Sequence, residues 1–211
     1  MSDDRRVSGE AFHSDQGMGR QFTEDQIREH DRACEEGWSL VEGHLIMDGE
    51  PPSGKPGWFA RRRLARALEC FEKALKINPD GWQSVWAMGK IHQRLGDTRR
   101  ALTYFARAHK MNPDQVDVAR EAGIAAADVG DGPRAVQFTR AAVALAPDDA
   151  GLTSNLALAL LINDQVQEAQ ATAADAVGRV PADPVAKTVK AIIDEVAAGT
   201  RRRPRSVKEL H

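Results

Sequence analysis

Along residues 82–95, WQSVWAMGKIHQRL, the positions Val85, Met88, Gly89, His92 and Leu95 recur at helical spacing and share one face. Gly96-Asp97 stops that helix: glycine supplies a left-handed cap, and aspartate starts the turn. In the following stretch Ala101, Phe105 and Ala108 form a second stripe, after which Pro113 cannot continue a helix and Asp114 is placed to cap the next one. The pattern predicts two antiparallel helices, the alanines letting the second lie against Gly89 while Phe105 fills the space between them.

The same pattern returns. ALECFEKALKINPD, residues 67–80, reappears 34 positions later as ALTYFARAHKMNPD, residues 101–114. Pro79, Pro113, Pro147 and Pro181 keep this interval, as do Ala67, Ala101, Ala135 and Ala169, and Ala74, Ala108, Ala142 and Ala176. Upstream, Gly89, Gly96 and Asp97 are matched by Gly123, Gly130 and Asp131, whereas the last unit has Ala157, Asp164 and Gln165 in those places. Loss of the motif near a chain end suits an array, whose terminal units meet one neighbour only. A lone hairpin would leave its outer apolar face in water, and stacking on copies removes that cost.

A small residue in the first helix, then alanine, a large apolar residue, alanine and a closing proline in the second, is a combination that resembles the tetratricopeptide repeats, and residues 82–115 match it in full. Thr139 and Ala173 stand where the large residue belongs in the units 116–149 and 150–183, so their packing should differ. The resemblance implies an all-α fold, a right-handed α-solenoid of about four helix hairpins over residues 23–198. Residues 23–81 form a modified first repeat. Thr23 and Gln26 predict a capped start near Glu24, with Phe22 and Ile27 as a hydrophobic staple. Trp38, Val41 and Leu45 are its expected core side, or else Gly37 is the close-packing position. A loop insertion at 48–58 interrupts this repeat. Val185, Val189, Ile192 and Val196 line one side of an expected capping helix at 184–198. The segments 1–22 and 199–211 are expected to be a disordered extension and a basic flexible tail.

Composition adds less than the repeat does. The chain of 211 residues has 42% hydrophobic and 28% charged positions, ordinary for a protein with a core, and no apolar run approaches the roughly 18 residues of a membrane span. No secretory signal opens it, and the two cysteines, Cys34 and Cys70, are too few for a disulfide framework, so a cytoplasmic location is expected. Charge is segregated: residues 61–110 hold 12 Lys and Arg against 4 Asp and Glu, between two segments of acidic balance. This band, with Arg61, Arg62, Arg63 and Arg66, reads first as a solvated face; it lacks interleaved exposed aromatics, which argues against nucleic acid.

Candidate chemistry is sparse. Gly49, Gly54 and Lys55 mimic a phosphate loop, but Pro56 replaces the magnesium-binding hydroxyl and the neighbouring prolines delete amide donors. His30 and Cys34, four apart, read as a surface histidine beside a buried thiol rather than as metal ligands, and His92 reads as a packed core residue. No catalytic constellation is evident, so an enzyme, a cofactor or a metal is not expected.

In the family that the repeat resembles, first-helix positions line the concave surface that holds partner segments. Here these are Gln83, Trp86, Lys90, Gln93 and Arg94, then Asp117, Arg120, Ile124, Ala127 and Asp128, then Gly151, Ser154, Leu158, Leu161 and Ile162. An exposed Trp86 flanked by cations would suit a protein or peptide with acidic and apolar groups; the alternatives are that Trp86 packs against the neighbouring first helix and that the capping helix covers Leu158, Leu161 and Ile162. The resulting expectation is a non-enzymatic protein-interaction adaptor. The alternatives are a cytoplasmic chaperone of secreted substrates and an RNA- or ribosome-associated protein using the basic band.

Overall fold

The computed structural model describes residues 22–45 and 54–210. The N-terminal extension before Phe22, most of the 48–58 insertion and the Gly49 end of the phosphate-loop mimic lie outside the described residues.

The described residues form nine α-helices and no strand. They pair along the chain: α1 (Glu24–Val41) with α2 (Trp58–Ile77), α3 (Trp82–Leu95) with α4 (Thr98–Met111), α5 (Val116–Val129) with α6 (Gly132–Leu145), and α7 (Ala150–Ile162) with α8 (Val166–Arg179). The last, α9 (Pro184–Ala197), lies against α8 and α7. The chain is therefore an all-α repeat array.

The small positions do what their spacing predicts. Ala67, Ala101, Ala135 and Ala169 are each 0% exposed, all within the second helices of successive hairpins. A Cβ placed on Gly89 would sit 2.5 Å from Phe105 Cε1, so glycine is what lets the ring lie against α3. In the first hairpin that role belongs to Gly37, whose Cβ would fall 3.0 Å from the Phe71 ring. Of the two registers that the sequence leaves open for α1, the structure combines both, with Gly37 against Phe71 and with Val41 and Leu45 buried in the same cluster. Where Thr139 replaces phenylalanine, a Cβ on Gly123 would approach the Thr139 backbone nitrogen to 3.2 Å, so α5 and α6 pack more closely.

Caps follow the sequence with one shift. Thr23 and Gln26 form the reciprocal capping box at the start of α1. Gly96 and Gly130 close α3 and α5 with φ of 82° and 77°, and Asp97 and Asp131 accept the amides of Arg100 and Arg134. Asp114 does not cap α5, however: the N-cap is Gln115, one residue later, and that register recurs at Asp149 and Asp183, whose carboxylates do accept helix amides.

The core runs between the helices of each hairpin and from hairpin to hairpin. Its largest cluster joins Phe105 to Ala126, Phe138, Leu160, Leu161 and Ile193. The apolar run at 156–162 is explained by position, since α7 is enclosed by α5, α6, α8 and α9 and needs little wet face. The capping helix is turned relative to expectation. Val185 stays 62% exposed while Ala186 and Ile193 are buried, and Val189, Ile192 and Val196 pack partly against the core.

Residues 199–210 are not a free tail. They fold back over the ends of α7 and α5 and finish in a short 3-10 turn, Val207–Leu210. Arg203 donates to the Ile162 carbonyl at 2.6 Å and pairs with Asp164 at 2.9 Å, Pro204 is buried, and Val207 packs against the main core cluster. Composition points to disorder because nothing in it reveals the partners of these arginines: Arg201 reaches Glu195 at the end of α9, and those of Arg203 lie 41 and 39 positions away.

Candidate functional site

The first-helix wall is held in register by a buried ion pair. Lys90 Nζ on α3 donates to Glu121 Oε1 on α5 at 2.7 Å, and Gln93 Nε2 donates to Glu121 Oε2 at 2.9 Å. The two charged side chains are only 3% and 9% exposed. Away from water such a pair holds its geometry tightly, because displacing either end strands a charge. Lys90 is therefore no open lining residue, contrary to the sequence expectation, but a tie between two hairpins.

Of the two readings open for Trp86, the structure takes the packed one. The residue is half-buried, packs against the clusters around Val85 and Phe105, lies 6.3 Å from the Trp38 ring and carries Lys90 Nζ at 5.9 Å from its ring centroid. Its indole Nε1 is buried without a hydrogen-bond partner. The ring belongs to the packing between first helices and is not an exposed anchor.

The other expected positions divide into occupied and open. Arg94 is committed to the chain before α2, donating to the His44 carbonyl at 3.1 Å and the Gly54 carbonyl at 2.8 Å. Leu161 and Ile162 are buried, Ser154 is buried and donates to the Ala150 carbonyl, and Ala127 is buried. Gln83, Ile124 and Leu158 are half-buried, Asp117 and Gly151 are exposed, and Arg120 pairs with Asp117 at 3.0 Å across one helical turn. Asp128 is half-buried beneath the returning tail, where burial raises its carboxyl above the usual range and Lys208 partly offsets the rise. What remains accessible is a strip of Gln83, Asp117, Arg120, Ile124 and Leu158 running across α3, α5 and α7.

Glu121 and Trp38 complete this wall; Trp38 is among the expected core positions of α1, whereas no sequence motif marks Glu121. A signal did exist for Glu121. It lies 31 positions after Lys90, which is one repeat less one helical turn.

Other candidate chemistry is resolved as packing. His30 is the buried member of its pair, 5% exposed, and Cys34 is the half-buried one, which reverses the sequence reading. The Cys34 thiol contacts His30 Nε2 at 3.7 Å and Ser84 Oγ at 3.8 Å, and burial pushes its pKa up, away from reactive thiolate. No group of three His, Cys, Asp or Glu side chains among the described residues is placed to hold a metal. His92 stacks on Tyr104 at 5.2 Å with the rings 8° from parallel.

The basic band does carry exposed aromatics, which the sequence reading did not place there. Trp58 and Phe59, at the start of α2, are 65% and 78% exposed beside Arg61, Arg62 and Arg63. No helix among the described residues is long and apolar enough to cross a membrane.

Comparison with known proteins gives a consistent picture. Two models of the tetratricopeptide repeat match, over residues 61–80 and 87–150. Among solved structures the chain is similar to MamA (residues 41 to end) from Desulfovibrio magneticus RS-1. That match has 18% identity and a TM-score of 0.65, covering 81% of this chain and 86% of that one. It is similar also to YrrB, described as a TPR protein with an unusual peptide-binding site, at 15% identity, TM-score 0.66, and 85% and 83% coverage. A tetratricopeptide repeat protein from Parabacteroides merdae ATCC 43184 aligns at 13% identity with a TM-score of 0.64, covering 82% of this chain and 61% of that one. No curated protein matches the sequence. At such identities the likeness is one of fold.

Proposed function

We propose that this chain, which belongs to the tetratricopeptide-repeat family, is a non-enzymatic adaptor whose first-helix wall, concave in that fold, holds a segment of another protein. The observation that carries the reading is the combination of a fixed wall with an accessible strip. Lys90, Glu121 and Gln93 lock α3 to α5, while Gln83, Asp117, Arg120, Ile124 and Leu158 keep surface available beyond what helix packing uses. A preorganised backbone lowers the ordering cost of binding, which favours recognition of a flexible segment.

The chemistry of the guest is narrower than a basic groove would imply. Lys90 is neutralised by Glu121 and Arg94 is engaged by two carbonyls, so Arg120 is the main cation facing the guest, already shared with Asp117. An apolar side chain seated over Ile124 and Leu158, with one anionic or carbonyl group at Arg120, fits this strip. Cys34 and Cys70 are both unpaired thiols, in keeping with work in a reducing compartment.

The test is a photo-crosslinking residue placed at position 124 and, as control, at position 107 on the second-helix side, followed by identification of the crosslinked segment and titration of that segment as a peptide. Crosslinks confined to position 124, with Arg120→Glu weakening the peptide at least several-fold, are expected. Equal capture from both positions, or full affinity after Arg120→Glu, would refute the proposal.

A further inference from the structure

The start of α2 reverses the usual chemistry of a helix N-terminus. Its first turn has no acidic residue and its N-cap, Gly57, offers no side-chain acceptor. Instead Arg61, Arg62 and Arg63 follow in succession, exposed, at an end where the helix dipole is already positive. Their contacts are with carbonyls and a ring: Arg61 Nε donates to the Pro56 carbonyl at 3.0 Å and Arg63 to the Ser39 carbonyl at 3.1 Å. The Arg62 guanidinium lies 5.7 Å from the Trp58 ring centroid. Each guanidinium therefore keeps its full charge toward solvent, and Lys55 adds an exposed cation just upstream.

Beside these charges stand Trp58 and Phe59, the two most exposed large apolar side chains among the described residues, at 65% and 78%. Their rings meet edge to face, with centroids 4.8 Å apart and planes at 81°. Exposed aromatic surface and uncompensated cations both cost free energy in an isolated protein, and local rules broken together at one place point to a binding role. One kind of surface relieves both costs at once: an apolar layer beneath a layer of anions.

We propose that the start of α2 is a peripheral docking site for an anionic lipid bilayer, with Trp58 and Phe59 entering the interface and Lys55, Arg61, Arg62 and Arg63 meeting lipid phosphates. Charge complementarity selects an anionic surface, since each cation near it adds attraction that decays within a Debye length. The ring geometry selects a bilayer over a nucleic acid. Base stacking needs open, parallel ring faces, whereas these rings are crossed and one face of Trp58 is covered by Arg62. Trp and Phe flanked by cations are what a helix lying on a membrane presents at the headgroup level.

Sedimentation of the full chain with vesicles decides the matter, using phosphatidylcholine alone or with added phosphatidylglycerol, and with a single-stranded polyuridine titrated in parallel. The wild-type protein should sediment with the anionic vesicles, not with the neutral ones, and rising salt should release it. Trp58→Ser with Phe59→Ser should lower the vesicle partition coefficient about tenfold, because two exposed aromatics then contribute no apolar burial. Circular dichroism of this double variant should match wild type, since neither ring supports the core. Replacing Arg61, Arg62 and Arg63 by glutamine should weaken binding and flatten its salt dependence. The proposal is overturned if the wild-type chain ignores anionic vesicles, if the double serine variant binds them undiminished, or if polyuridine binds more tightly and loses as much to the serine substitutions.

Discussion

Replacing Glu121 by leucine removes one end of the tie that sets the first-helix wall. Lys90 Nζ would lose its partner at 2.7 Å, Gln93 would lose its acceptor at 2.9 Å, and a side chain only 3% exposed would hold a bare ammonium. Breaking a buried pair from one side costs about 3–5 kcal/mol, far above the ~0–1 kcal/mol of an exposed pair such as Arg140–Glu168, with side chains 50% and 47% exposed. The remaining contact of Lys90 with the Trp86 ring, at 5.9 Å, is worth about 0.5–2 kcal/mol and cannot make up the difference. In a chain of this size each kcal/mol moves the melting temperature by about 2–4 °C, so a fall of at least ~6 °C is expected.

Lys90→Met should cost a comparable amount for the mirror-image reason. Lys90→Met together with Glu121→Leu should recover most of the loss, because no charge is then stranded and apolar groups of similar volume fill the space. Urea titration followed by circular dichroism gives the four corners of the cycle, and hydrogen exchange in α3 and α5 locates the effect in an array that need not unfold as one unit. A single Glu121→Leu loss below about 1 kcal/mol, or a double variant as damaged as the sum of the singles, would show that the pair is solvated and that the wall is not tied in this way.

Other consequences can be checked the same way. Gly89→Ala places a methyl 2.5 Å from a Phe105 ring that is 0% exposed, so about 1–3 kcal/mol should be lost in denaturant titration, and Phe105→Leu in the same chain should restore part of it. Arg203→Ala removes the bonds to the Ile162 carbonyl and to Asp164, and limited proteolysis should then cut after Arg205 several-fold faster while the helices remain intact. Burial holds the imidazoles of His92 and His109 below their ordinary pKa of 6.5. Neutral histidine is thus favoured by folding: this contribution is complete above pH 6.5 and is lost as pH falls from there through the lower folded values. The urea midpoint should drop between pH 7 and 5, and His92→Gln with His109→Gln should flatten that slope.

The hairpins, their caps and the close-packed small residues were legible because each depends on neighbours within one 34-residue unit. Gly89 and Phe105 are 16 positions apart, and a helix turn of known length joins them. The wall was less legible because burial there depends on pairs drawn from different hairpins. Trp86 is covered partly by Trp38, whose place was obscured by the insertion in the first repeat, so the sequence alone could not choose the packed reading of Trp86 over the exposed one. The tail was misjudged on the same principle: arginine-rich composition predicts disorder only where no distant carbonyl or carboxylate is waiting.

Three side-chain contacts between matching helices of the regular hairpins nevertheless share a spacing that a sequence can be searched for. Lys90 meets Glu121 at an offset of 31, Gln93 meets the same glutamate at 28, and Arg140 meets Glu168 at 28. Each is one repeat shortened by one or two helical turns, which brings side chains of neighbouring helices to the same level. The apparent decay of the last hairpin's turn can be weighed against this order. Where Gly96 and Gly130 stand in earlier turns, Asp164 takes the left-handed conformation with φ of 65°, a position where any side chain costs about 1 kcal/mol over glycine. Its carboxylate meets Arg203 at 2.9 Å, beside the carbonyl of Ile162 that the same arginine caps. A glycine there would relax the turn and leave Arg203 with the carbonyl alone. The aspartate at this turn therefore holds the returning segment 199–210, which crosses the turns after α7 and α5 and meets Asp164 directly.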